Sequence, residues 1–91
     1  MKFRVTRHSA LAPPADALDL LWQRLGGDHE GVEFTRAGDE IRAAWEEDAP
    51  VSMERDERMQ IGRRAVLDIV SEVCDGAPEL RLDWYAISPQ N

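Results

Sequence analysis

The apolar residues of this chain recur at two spacings, every second residue and every third to fourth, and the order of these stretches constrains the fold more than any other feature. Phe3 and Val5 alternate with Lys2, Arg4 and Thr6, the pattern of a half-buried strand over residues 2–7. Pro13 and Pro14 follow, suited to a first helical turn, where the missing N–H would have had no partner. Ala15, Leu18, Leu21, Trp22 and Leu25 then fall on one stripe, which predicts a helix over 14–25. Gly26-Gly27 is expected to end it, because glycine takes a left-handed C-cap without steric cost.

Val32 and Phe34 alternate with Glu33 and Thr35, and after Ala37-Gly38-Asp39 the alternation resumes with Ile41, Ala43 and Trp45, which reads as a β-hairpin. Pro50 and Ser52 break the pattern, and Ser52 is placed to cap a second helix over 53–74. Met59, Val66, Ile69, Val70 and Val73 share one face of that helix, widened by Leu67 and Cys74, while its first turns, MERDER, are almost wholly polar and are expected to project past the sheet or touch a partner. Gly62 lies on the apolar side, where glycine costs about 1 kcal/mol of helix stability unless another element comes close. A close crossing is expected there. Gly76 and Pro78 stop the helix, and Leu80, Leu82, Trp84 and Ala86 alternate with Arg81, Asp83, Tyr85 and Ile87 as a last strand, leaving 88–91 as a tail.

The predicted order is β-α-β-β-α-β, and connection rules favour an antiparallel four-stranded sheet, spatial order 4-1-3-2, with both helices on one face. This α+β arrangement resembles the ferredoxin-like split βαβ plait. Ninety-one residues suffice for a single domain, 1–91. Trp22, Trp45 and Trp84 fall on inward positions and are expected to fill the core.

Charge then narrows the function classes. The net charge is −7, and the acidity sits in residues 28–57, where eleven acids oppose Arg36, Arg42 and Arg55. Two concentrations, Asp28-His29-Glu30 and Glu46-Glu47-Asp48, are read as loops. Such a balance repels phosphate backbones and favours a basic partner. No apolar run is long enough to span a bilayer, and MKFRVTRHSA is charged where a secretion signal is apolar, so a cytoplasmic protein without membrane attachment is expected. The one cysteine, Cys74, forms no internal disulfide, and Glu72 and Asp75 beside it disfavour a thiolate. His29 with Asp28 and Glu30 lacks the spacing of a metal site, and His8 beside Ser9 lacks an orienting acid and oxyanion donors. No cofactor, metal or catalytic set is therefore assigned.

The face of the sheet without helices is the remaining candidate. Arg4, Arg42, Arg81, Asp83, Tyr85 and Ile87 are assigned to it as binding residues, with Glu46, Glu47 and Asp48 as an acidic docking loop. RNA-binding plaits stack bases on aromatics of the two central strands, where this chain has Arg4, Thr6, Arg42 and Ala44, so nucleic acid is not expected as a partner. The leading reading is a small acidic protein-binding or regulatory module without catalysis, which docks a basic protein or pairs with a second copy as a homodimer. The rival is a cofactor-free small-molecule-binding protein or enzyme, a dimeric plait with a cavity between sheet and helices lined by His8, Arg42 or Tyr85. An acidic nucleic-acid mimic is a third reading, which requires carboxylates regularly spaced on one surface.

Overall fold

β1 (Lys2–Arg7) turns Phe3 and Val5 to one side, where both are fully buried, and Arg4 and Thr6 to the other. In this computed structural model, which describes residues 1–46 and 54–90, a 3₁₀ turn (Ser9–Leu11) leads from β1 to α1 (Ala17–Leu25). Then come β2 (Gly27–His29), β3 (Val32–Ala37), β4 (Glu40–Ala44), α2 (Arg55–Asp75), a second 3₁₀ turn (Leu82–Trp84) and β5 (Tyr85–Pro89). The five strands make one antiparallel sheet in the order β2-β3-β4-β1-β5. Both helices cover the face carrying Phe3, Val5, Phe34, Ile41, Tyr85 and Ile87, and the fold is α+β.

The sheet has five strands rather than the expected four, and residues 27–29, expected as a helix cap and loop, supply the fifth. Glu30 (φ +51°) and Gly31 (φ +85°) form the two-residue turn between β2 and β3, and positive φ at both positions matches the twist that a tight hairpin needs. Asp28 and His29 are therefore strand residues, paired with Glu33 and Val32. Gly26 ends α1 without the left-handed conformation (φ −30°, ψ 124°), and it is Gly27, the first residue of β2, that takes a positive φ. The predicted hairpin at 37–39 forms, with Ala37 opposite Glu40.

α1 begins three residues later than the proline pair suggests, after a turn in which the Ala17 N–H donates to Pro14 O. Ser52, the expected cap of α2, lies outside the described residues, and Glu54 at the N-cap position makes no side-chain cap bond. No residue of α2 before Gly62 is buried, and Ile61 is exposed. From Gly62 onward the helix buries Val66, Ile69, Val70 and Cys74. A Cβ added at Gly62 would lie 2.7 Å from Phe3 Cε2 and 3.1 Å from Trp45 Cζ2, and would overlap Met1 Sδ. The helix backbone thus rests on a pair of rings, for Phe3 and Trp45 stack with centroids 5.7 Å apart and planes 5° from parallel. The expected close crossing is present. The tryptophans are displaced from their expected place: Trp22, Trp45 and Trp84 are only partly buried and pack around a centre made by Phe3, Phe34, Leu21, Leu25 and Ile41.

The C-terminal strand is shifted in both position and phase. Trp84 N–H donates to Arg81 O to close the second 3₁₀ turn, and three residues in one turn reverse the two-residue alternation that runs from Leu80. Tyr85 and Ile87 therefore point into the core rather than onto the open face, and Ser88 and Pro89 belong to the strand. His8 N–H donates to Trp84 O and Gln90 N–H to Lys2 O, so Ala86 and Ser88 bond to β1 and the main-chain groups of Tyr85, Ile87 and Pro89 face the free edge. There, the Tyr85 N–H turns back to Leu82 O, Arg63 Nε on α2 donates to Ile87 O at 3.2 Å, and Pro89 has no N–H.

Because the Phe3 ring is fully buried and cannot retreat, Gly62→Ala is expected to destabilise the protein by about 1 to 3 kcal/mol. This outweighs the gain of about 1 kcal/mol in helix propensity. Gln60→Ala, exposed on the same helix, should stay within about 0.5 kcal/mol of the parent. Urea denaturation of the two variants checks this, and an unchanged midpoint for Gly62→Ala would remove the close crossing as a constraint on the fold.

Candidate functional site

The face of the sheet away from the helices is built from the residues that alternate with the core set. On β1 and β4 these are Arg4 and Arg42, which stand directly opposite each other in the register. The Met1 nitrogen donates to Trp45 O at 2.7 Å and the Trp45 N–H to Met1 O at 3.2 Å, so Met1 and Trp45 are a hydrogen-bonded pair. Counting by twos makes Phe3–Ala43 another, and leaves Arg4–Arg42 as a pair of the other kind, with Cα atoms about 4.5 Å apart and side chains close. Like charges directly opposite are destabilising. Arg42 finds compensation from Glu40, two residues along the same face, through an Nε to Oε2 contact of 3.2 Å. Arg4 finds none among the described residues, and its Nε is sealed from solvent with no acceptor in reach. Ser88 and Thr35 flank the two arginines in the same row, on β5 and β3.

A second like-charge pair lies across the same face. Asp28 on β2 is opposite Glu33 on β3, and both are exposed. In a two-residue hairpin the pair next to the turn, here His29–Val32, is hydrogen-bonded, so Asp28–Glu33 is again the closer, unbonded kind. Between the two pairs stands Ala44, opposite Glu33 on one side and Lys2 on the other.

Of the residues predicted to bind, Arg4 and Arg42 thus come together on this face. Tyr85 and Ile87 do not: both are buried, and the Tyr85 hydroxyl donates to Ala17 O at 2.7 Å, tying β5 to the start of α1. Arg81 and Asp83 sit in the turn before β5, where with Leu11 and Trp84 they line a surface recess of about 180 Å³. Glu46 is exposed after β4, and Glu47 and Asp48 lie outside the described residues. Asp28 was missing from the sequence-based set because residues 27–29 gave no alternation long enough to read as a strand, and Glu33, on a strand that was read, therefore lacked the neighbour that makes it part of a pair.

His8, Arg42 and Tyr85, the candidates to line a ligand cavity, do not converge. His8 follows β1 with Nδ1 accepting from the Ala10 N–H, Arg42 is on the open face, and Tyr85 is on the covered one. His29 points to the helix side, with Nε2 hydrogen-bonded to Leu25 O and its ring edge-on to Phe34 at 5.8 Å. Beside it, His29, Glu30, Ile69, Glu72 and Val73 line an open recess of about 280 Å³ between the β2–β3 turn and α2. Among the described residues no three His, Cys, Asp or Glu side chains gather as a metal site would require. No helix there is long and apolar enough to cross a membrane.

Cys74 is buried near the C-terminus of α2, and burial, aided by the charge of Asp75, pushes its thiol from 9.0 up to about 11. Burial raises the Tyr85 phenol as well, with smaller contributions from Cys74 and Asp16. A raised acid holds its proton more tightly in the folded state, so its contribution is complete below the unfolded pKa and is lost as pH rises through the folded one. The urea midpoint should therefore fall between pH 9.0 and about 11, and Cys74→Ala should flatten that fall. Identical pH slopes in the two proteins would remove the thiol as its source.

Comparison with protein-family models, with curated proteins and with solved structures finds no match to this chain.

Proposed function

We propose that this chain is a small acidic module that works through protein contacts, without catalysis of its own, and that its contact surface is the helix-free face centred on Arg4 and Arg42. We read the fold as a ferredoxin-like plait extended by one strand. The long strands lie in the order β5-β1-β4-β3, each antiparallel to its neighbours, and β2 is added outside β3. A cytoplasmic location is part of this reading, as is a protein partner or a second copy rather than a nucleic acid or a lipid surface.

The observation that carries the proposal is the contrast between the two sides of the sheet. On the helix side polar side chains are matched: Tyr85 to Ala17 O, His29 to Leu25 O, and Arg36 to Asp19 at 2.8 Å. On the open side Arg4, Asp28 and Glu33 have no ion-pair partner among the described residues, although each stands close to a like charge. Unmatched charge held against its own repulsion is what a docking surface presents before its partner arrives, because complementary charge sets orientation and rate of encounter. The rival reading of an enclosed ligand site draws no support from His8, Arg42 and Tyr85, which stand apart.

A photo-crosslinking residue at Thr35, on the open face, and another at Gln23, exposed on α1, test the surface. Protein adducts should form from position 35 and should diminish when Arg42→Glu is added, with little product from position 23. Equal yields from both positions, or adducts indifferent to Arg42, would remove the open face as the contact surface.

A further inference from the structure

We propose that the open face pairs with the same face of a second copy of this chain, seating the Arg4/Arg42 pair of each copy on the Asp28/Glu33 pair of the other. The inference rests on the protein-contact reading above and names the partner.

Its ground is that one face carries two like-charge pairs of opposite sign. Arg4 and Arg42 repel across the β1–β4 seam, and Asp28 and Glu33 repel across the β3–β2 seam. The seams are two strand spacings apart, about 10 Å. A two-fold axis lying between two stacked sheets, parallel to them and bisecting at right angles the line that joins the two pairs, which are also offset by two residues along the strands, exchanges the pairs. The basic pair of one copy then lies over the acidic pair of its mate, and the reverse contact follows by symmetry, as an isologous interface requires. The two repulsions of each chain are then offset by opposite charge from its mate, without any new kind of residue.

The remaining features of the face agree. Ala44 stands between the seams, and Ala86 and Ser88 follow on β5, so side chains that would hold the sheets apart are small there. Arg4 is half-buried with its Nε already out of water, so part of its desolvation precedes docking and less is lost when a carboxylate reaches its outer nitrogens. An interface of this kind is screened by salt.

Two double variants decide the matter: Arg4→Glu with Arg42→Glu, which turns the basic pair acidic, and Asp28→Arg with Glu33→Arg, which turns the acidic pair basic. In sedimentation equilibrium at low salt the parent chain should be a dimer that weakens by about tenfold or more as ionic strength rises from roughly 0.05 to 0.5 M. Each variant alone should be a monomer, and their equimolar mixture should form a heterodimer. Circular dichroism shows that each is folded, and the single variant Arg4→Gln, expected to weaken the dimer, serves if a double variant is not. A monomeric parent, a variant that self-associates like the parent, or a mixture that stays monomeric overturns the proposal. A monomeric parent whose position-35 adducts still depend on Arg42 would leave the open face a contact surface for another protein, whereas loss of those adducts removes the broader reading too.

Discussion

The rest of the structure depends on how near α2 comes to the sheet at Gly62. The helix axis can lie this low because nothing projects from that residue, and the Phe3 and Trp45 rings stack beneath it as a floor. Once that contact is made, Val66, Ile69, Val70 and Cys74 follow on the same stripe into the space over β1 and β5. Before it, the turns of Arg55 to Ile61 hold no fully buried residue, and only Met59 packs partly against the core. Gly62 is thus the boundary at which α2 enters the core. Interiors packed as densely as crystals do not absorb even one methyl group freely, so the position fixes the separation of the two layers.

How the polar groups are distributed follows from that layering. Helix-side donors and acceptors lie in a region where water is scarce, and unmatched groups there are costly, which accounts for the pairing of Tyr85 with Ala17 O and of His29 with the last turn of α1. Arg24 reaches Glu79 and so closes the end of α1 against the segment after α2. On the other side of the sheet Arg42, Asp28 and Glu33 are exposed to water in the isolated chain, where such charges are tolerated, while Arg4 Nε is shut off from it. Residues suggestive of chemistry when read in sequence are therefore structural once placed: His8 caps a turn, His29 fastens a hairpin, and Cys74 fills a core position.

Much of this was legible in the residues, and the failures have physical causes. The alternation of Phe3 with Arg4 and of Ile41 with Arg42 located the central strands and the two arginines of the open face, and a glycine on an apolar helical stripe located the crossing. β2 was not legible, because three residues cannot display an alternation and its pairing is dictated by the Glu30-Gly31 turn rather than by apolar spacing. Hence Asp28 was seen as loop acidity and not as the neighbour of Glu33. The segment from Leu80 misled for a different reason. Its alternation is regular, but the 3₁₀ turn at Leu82–Trp84 occupies its middle and reverses the sides beyond it, carrying Tyr85 and Ile87 inward. Nothing in a strict two-residue pattern announces such a turn, and a shift of one position exchanges every side chain between the faces.

The free margin of β5 has a consequence of its own. An outermost strand normally offers a template on which neighbouring molecules can lay their own backbone and build filaments. Here the guard is mounted on the helix layer: Arg63 occupies the carbonyl of Ile87, and a proline follows two residues later. At the opposite margin β2 is only three residues long. Among the described residues, neither border favours endless lateral growth.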